Sequence, residues 1–299
     1  MRASQSNHPQ FVLVTDSGLL RPTLFTAWGL MQHVKGDGLL HIWGDGLSPA
    51  EVALIAQLQP VNPRLRLEFS ALSKAEMAGA KGPDARISGA SMGRLLIPKK
   101  LDGRVLYIDG DTRITADPSQ IFDLDMQGKP LAAVRDYVVS KWCRNGAPPD
   151  KPRVRELRQL MGQEDISHYF NSGVLLIDTS AVRATPALFD AMTDVIRASA
   201  SPWGDQDHLN SIFTGNVRLL DPAWNSSWSR TREQRAFIRS SGALDNELTG
   251  LSDVIVHFHG SNKPWLGPRY DFWSRRGRAV MAYRRVQKRF QRAFPLLRF

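Results

Sequence analysis

Apolar runs that each stop at a polar side chain constrain this chain more than any other feature. They include "FVLVTD" (11–16), "LLHIWGDGLS" (39–48), "VLYIDGD" (105–111), "PLAAVRD" (130–136), "FNSGVLLID" (170–178) and "DVIVHFHG" (253–260). Helical patterns lie between several of them. In "SPAEVALIAQLQ" (48–59), Ser48 and Glu51 have capping-box spacing ahead of an amphipathic helix. Strands alternating with helices predict an α/β fold with a mixed, mainly parallel sheet flanked by helices. A continuous run such as "GVLLI" fits a strand buried on both faces. The stretches 140–157 and 225–248 read as long loops, because neither holds an obvious strand.

In open α/β sheets the ligand crevice lies outside the carboxyl ends of the strands. Asp16, Asp109, Asp111, Asp136 and His257 are therefore candidates to converge on one site. The most informative stretch is "YIDGDT". Positions i and i+2 of an extended chain point the same way, and Gly110 between them has no side chain to obstruct an ion. Two adjacent carboxylates repel unless a cation or a shared proton relieves them. Oxygen ligands suit Mg²⁺ or Mn²⁺, and an added imidazole tilts the choice towards Mn²⁺. Taken alone, Asp-x-Asp also fits a solvated turn or the nucleophile motif of a haloacid-dehalogenase-type phosphatase.

Four blocks carry a family resemblance. "GRLLIPKKLDGRVLYIDGDTRI" (93–114), "HYFNSGVLLIDTSAVR" (168–183), "WGDQDHLNSIFTGNVRLLDPAWN" (203–225) and "VIVHFHGSNKPW" (254–265) occur in the order found in family 8 glycosyltransferases. These are retaining enzymes of the GT-A type, and the chain most resembles the bacterial lipopolysaccharide galactosyl- and glucosyltransferases among them. The resemblance implies a UDP-galactose or UDP-glucose donor and a glycan or glycolipid acceptor. It implies metal ligation by Asp109, Asp111 and His257. It implies donor contacts from Asp16, Arg94, Gly110, Asn171, Gly260 and Lys263. Asp136, Asp205 and Gln206 would lie at the reacting sugar, and Asp207 would serve as a helix cap. One departure stands out. Family members often carry Asn-Tyr after the first-strand aspartates, and this chain reads "TDSGLL" there, without the aromatic ring. The phosphatase alternative places its motif at the first strand, whereas Asp109 follows about a hundred residues of α/β sequence. An inactive nucleotide-sugar binder is the non-enzymatic alternative.

Charge sets the last expectation. Residues 269–299 hold ten Arg or Lys and one acid, Asp271, and so carry all but one of the net charge of +10. At 100° per residue, Phe272, Trp273, Val280, Tyr283, Val286, Phe290 and Phe294 fall within an arc of about 140°, with arginines opposite. That pattern describes a basic amphipathic helix on an anionic bilayer surface, appended to a catalytic domain spanning 1–268. A stripe packed on the protein body is the alternative. No nucleic-acid motif accompanies the charge, so nucleic acid is not expected as a partner. One cysteine, no secretory signal and no apolar run long enough to span a bilayer fit a cytoplasmic protein at the inner face of the membrane.

Overall fold

The computed structural model describes residues 8–82, 88–144, 146, 148, 151–266 and 273–299. Ten strands run in chain order: β1 (Gln10–Asp16), β2 (Gly38–Asp45), β3 (Leu65–Leu72), β4 (Arg104–Ile108), β5 (Thr112–Ile114), β6 (Leu131–Arg135), β7 (Phe170–Asp178), β8 (Val217–Leu219), β9 (Ser226–Ser227) and β10 (Ile255–His257). Seven form one sheet, ordered β3-β2-β1-β4-β7-β6-β8, and β5-β10-β9 form a second. Within the large sheet only β7 runs antiparallel to its neighbours, β4 and β6. The mainly parallel sheet is thus as expected. The "GVLLI" run is buried on both faces, yet it belongs to the reversed strand.

Alternate residues of the central strands feed two cores. Phe11, Leu13, Leu106, Ile108, Val174 and Leu176 enter one, together with the helix Leu20–His33. Val12, Val14, Val105, Tyr107, Leu175 and Ile177 enter the other. The period of two along each strand makes this division, and helices on both sides cover it. The capping box forms: Ser48 Oγ accepts from Glu51 N at 3.4 Å, and Glu51 Oε2 accepts from Ser48 N at 2.9 Å. That helix closes early, spanning Pro49–Ala56.

The two expected loops hold more structure than their composition suggests. Helices Tyr137–Cys143 and Pro152–Met161 occupy much of 140–157 and share a small core of Val139, Val154, Leu157, Met161, Ile166 and Tyr169. Positions 145, 147, 149 and 150 lie outside the described residues. The 225–248 stretch contains β9 and the helix Thr231–Ser240. Its end is tied down by a fully buried ion pair. Arg135 Nε and Nη2 reach Glu247 Oε1 and Oε2 at 2.6 and 2.7 Å, with both side chains at 0% exposure.

The C-terminal helix runs Arg275–Ala293. Its apolar stripe is buried in the first core, which corrects the expectation that this face lies in a bilayer. Tyr283 sits 4.6 Å from Phe25, and Phe290 lies 5.7 Å from Phe25 and 5.5 Å from Trp28, measured between ring centroids. In the groove beside Leu20–His33 the rings leave water and also pair with one another in tilted and edge-on contacts. Trp273 departs from the stripe and is 76% exposed. Phe272 and the 268/269 boundary lie outside the described residues. Because the stripe is core, Phe290→Ala is expected to lower stability by about 3–5 kcal/mol in urea unfolding without lipid. A change below about 1 kcal/mol would show that the helix is an appendage.

Candidate active site

The order β3-β2-β1-β4 contains a switch point. From β1 the chain steps outward through β2 and β3, then returns to place β4 on the other side of β1. The carboxyl ends of β1, β4 and β6 share one edge with the start of the reversed strand β7. Asp16, Asp109 and Asp136 therefore meet the Asn171-Ser172-Gly173 stretch there. Residues 109–111 form the corner between the two sheets. Asp109 N donates to Gly173 O at 2.7 Å, and Phe258 N donates to Asp111 O at 3.0 Å. The corner thus joins β4 and β7 to the end of β10, which carries His257.

The two aspartates divide their oxygens. Asp109 Oδ1 accepts from Arg94 Nη2 at 2.9 Å and from the Tyr107 hydroxyl at 2.5 Å. Asp111 Oδ2 accepts from Lys263 Nζ at 2.5 Å. The remaining oxygens face one imidazole nitrogen: His257 Nε2 lies 3.6 Å from Asp109 Oδ2 and 3.2 Å from Asp111 Oδ1. Ligand atoms of these three residues all lie within 4.8 Å of one another. Removal from water pushes the Asp109 carboxyl above its usual range, against the pull of Arg94 and with the push of Asp111. Burial pushes Asp111 the same way, but Lys263 and His257 overcome it and hold that carboxyl well below the usual range.

A backbone group fixes the histidine tautomer. Gly173 N–H donates to Asn171 Oδ1 at 3.0 Å, so the Asn171 amide nitrogen must point away, towards Gln206 Oε1 at 3.0 Å and Asp136 Oδ2 at 3.3 Å. Asn225 Nδ2 donates to the same Asn171 oxygen at 2.9 Å. Asn225 Oδ1 then faces His257 Nδ1 at 2.9 Å, and that nitrogen must carry a proton. Nε2 is left to the two carboxylates. Three lone-pair donors converging there suit a divalent cation.

Gly173 leaves the space. A Cβ at that position would stand 2.2 Å from His257 Cε1 and 2.7 Å from Asp109 Oδ2. Asn225 and Gly173 both lay within recognised blocks, but neither had been given a role. Their signal was present: a glycine that opens the apolar run "GVLLI", and an asparagine that closes "PAWN".

Other expected residues take different parts. Gly110 makes room for the protein and not for an ion, since a Cβ there would meet Thr23 Oγ1 at 2.1 Å. Arg94 was expected to reach the donor. It is buried, and its guanidinium is spent on Ser91 O, Ser172 O, Ser172 Oγ, Asp109 and, at 3.2 Å, Asp205 Oδ2. Asp205 therefore acts through Arg94. Asp136 caps the helix Tyr137–Cys143, accepting from Val138 N at 2.8 Å and Val139 N at 3.1 Å. Burial nonetheless raises its pKa. Gln206 Oε1 accepts from Asn171 and from Ser172 N at 3.2 Å, and its Nε2 donates to Tyr169 Oη at 3.1 Å. Asp207 is the third residue of the helix Asp205–Ile212, with Gly204 and not Asp207 at the cap position; it holds the fold by accepting from Trp203 N, Tyr169 Oη and Arg153. Asp16 accepts from Leu19 N at 3.0 Å. Gly260 is an exposed turn residue at φ +88°. Among the described residues, no hydrogen bond or ion pair joins Asp16 or Gly260 to the Asp109–Asp111–His257 cluster. For the metal site, Asn225→Ala is expected to weaken Mn²⁺ binding about 10–100-fold in calorimetry. Gly173→Ala should abolish it. Unchanged affinity in both would remove the metal assignment.

Comparison with known proteins places these features. The model of the family described as "Glycosyl transferase family 8" matches residues 20–268. General stress protein A of Bacillus subtilis is 28% identical over 188 residues, 60% of each chain. Lipopolysaccharide 1,2-glucosyltransferase of Escherichia coli K12 is 23% identical over 163 residues, covering 54% of this chain and 44% of that enzyme. The matches thus span about half the length of these curated relatives. Among solved structures, the galactosyltransferase LgtC with donor and acceptor sugar analogues superposes with a TM-score of 0.71 at 21% identity, over 93% of this chain and 94% of that one. The bifunctional glycosyltransferase WbbM gives 0.69 at 18% identity, over 97% of this chain and 53% of that one. The fold is GT-A, and the chain belongs to glycosyltransferase family 8.

Proposed function

We propose that this protein is a metal-dependent, retaining hexosyltransferase. It would move galactose or glucose from a UDP-sugar to a glycan or glycolipid acceptor in cell-surface polysaccharide synthesis. One observation carries the reading: Asp109, Asp111 and a tautomer-fixed His257 converge on a space that Gly173 keeps open. These three side chains would hold Mn²⁺ or Mg²⁺, whose Lewis acidity stabilises charge on a departing diphosphate. Lys263, beside Asp111, adds a preorganised positive charge to the same end of the site. Arg94 keeps one Asp109 oxygen occupied, which turns the other towards His257.

Gln206 and Asp136 border the adjoining space. Gln206 is an amide whose oxygen already accepts two hydrogen bonds, so it is a poor nucleophile. That favours front-side displacement. The anomeric C–O bond to the diphosphate breaks, the acceptor oxygen bonds to the same face, and the departing phosphate takes the acceptor proton. A panel of UDP-hexoses with Mn²⁺ tests the whole reading. Release of UDP is expected, and chelator or Asp111→Ala should abolish it. Phosphate release from phosphomonoesters would instead indicate a phosphatase, and no release at all would indicate a binder.

The acceptor reading extends to the membrane, from the cytoplasmic side. Arg278, Arg285, Lys288, Arg289 and Arg292 are exposed on the outer face of the C-terminal helix, with Met281 among them and Trp273 just before it. This outer face, and not the buried aromatic stripe, would meet an anionic leaflet. Each basic side chain near such a surface contributes about 1 kcal/mol. The triple variant Arg285→Glu/Lys288→Glu/Arg289→Glu is expected to lose flotation with anionic vesicles while keeping its fold. Retained flotation would sink the membrane reading. Among the described residues no helix is long and apolar enough to cross a bilayer.

A further inference from the structure

The C-terminal helix opens with Arg275, Arg276 and Arg278 and has no acid in its first turn. Ser274 caps that end, its Oγ accepting from Gly277 N at 2.9 Å, and the three cations stand there without an acid in the same turn to balance them. Arg275 and Arg278 also face Arg232, from the helix Thr231–Ser240, across a recess of about 360 Å³. Ser229, Ala279 and Ala282 complete its lining. Among the described residues, the ion pair that reaches this trio is Glu233 with Arg275, at 3.9 Å between partly exposed side chains. Arg278 Nη1 donates to Trp273 O at 2.5 Å, which orients its guanidinium.

The backbone beside the recess is unusual as well. Trp228 and Ser229 both take positive φ, +51° and +57°. Consecutive left-handed residues other than glycine are strained and persist where surrounding contacts impose them. Here Trp228 N donates to His257 O at 3.1 Å and the indole N–H to His259 O at 3.2 Å. The strained turn thus runs from the back of the metal-site strand to the hydroxyl that lines the recess.

The geometry points to a phosphate-binding recess: Arg232, Arg275 and Arg278, with the Ser229 hydroxyl, receive a phosphate mono- or diester group. Guanidinium forks match phosphate oxygens in paired hydrogen bonds. Alanines at 279 and 282 leave the floor clear. The same chemistry is offered by a lipid headgroup or by a phosphate carried on the acceptor saccharide. The recess deepens the membrane-surface reading in the first case, and its occupancy does not depend on donor chemistry.

The test uses the full chain and the variant Arg232→Gln/Arg278→Gln. Calorimetry with inorganic phosphate, at an ionic strength held with chloride, is expected to show about ten-fold or more weaker binding in the variant. Far-UV circular dichroism should be unchanged, and Arg232→Lys, which keeps the charge and loses the fork, should fall between wild type and the double variant. Equal phosphate affinity in wild type and double variant overturns the assignment. Two further probes identify the source. A lost preference for phosphatidic acid vesicles over oleate vesicles of equal charge assigns the recess to lipid. Lost binding of glucose 6-phosphate, with vesicle preference intact, assigns it to a phosphorylated acceptor. Neither loss overturns the proposal. Metal-dependent UDP release is expected to be the same in variant and wild type, so failure here is distinct from failure of the donor-site reading.

Discussion

The buried guanidinium of Arg94 is the interaction on which the rest of the site depends. Burying a cation costs several kcal/mol unless carboxylates and hydrogen-bond acceptors surround it. Asp109, Asp205 and the Ser172 carbonyl supply that surrounding, and they come from three different elements. Burial alone would lower the Arg94 pKa, but Asp109 and Asp205 reverse this and raise it. The cation is therefore permanent, and it holds the end of β4, the start of β7 and the helix Asp205–Ile212 in one place. Asp109 is positioned by this contact within the protein itself. Removing Arg94 would leave Asp109 and Asp205 without their shared cation, so its effect on the Asp109–Asp111–His257 cluster would be indirect but severe.

The reversed strand explains how so many polar side chains reach one edge. In an all-parallel sheet only strand ends and the loops after them face the crevice. β7 enters at that edge, so its first residues Asn171, Ser172 and Gly173 stand among the carboxylates at the ends of β4 and β6. Each has a separate task. Asn171 links Asp136, Gln206 and Asn225, Ser172 meets Arg94 and Asp205, and Gly173 leaves its Cβ position empty beside His257. A residue-by-residue relay thus runs from the imidazole to Gln206 through amides alone. Amides hold orientation without titrating, which suits a scaffold around groups whose charge must stay fixed.

Sequence made part of this legible and hid part for definable reasons. Strand ends carrying Asp109, Asp111 and His257 could be read because polar residues closing apolar runs have few other uses. The direction of β7 could not, because a strand buried on both faces shows the same apolar run either way. β3, "LRLEFSAL", went unread although its residues carry the strand's side-chain alternation. The protein contacts of Gly110 and Arg94 could not be read, because sequence spacing does not reveal who fills the space. Thr23 presses on Gly110, and Asp205 lies 111 positions from Arg94 in sequence but 3.2 Å away in space.

The C-terminal helix shows the same limit most sharply, because its periodicity was right and its covering was not. An amphipathic pattern states that one face leaves water; it does not state whether protein or lipid receives it. Here the aromatic face closes the first core beside Phe25 and Phe258, with the Tyr283 ring 5.0 Å from Phe258. Phe258 in turn follows His257 and donates its N–H to Asp111 O. Two packed side chains therefore separate the exposed arginines from the aspartate corner. A helix placed this way shares a wall with the strand end behind Asp111. The aromatic face of the helix and the aspartate corner are parts of one packed unit, which a tail of the same composition on a flexible tether would not be.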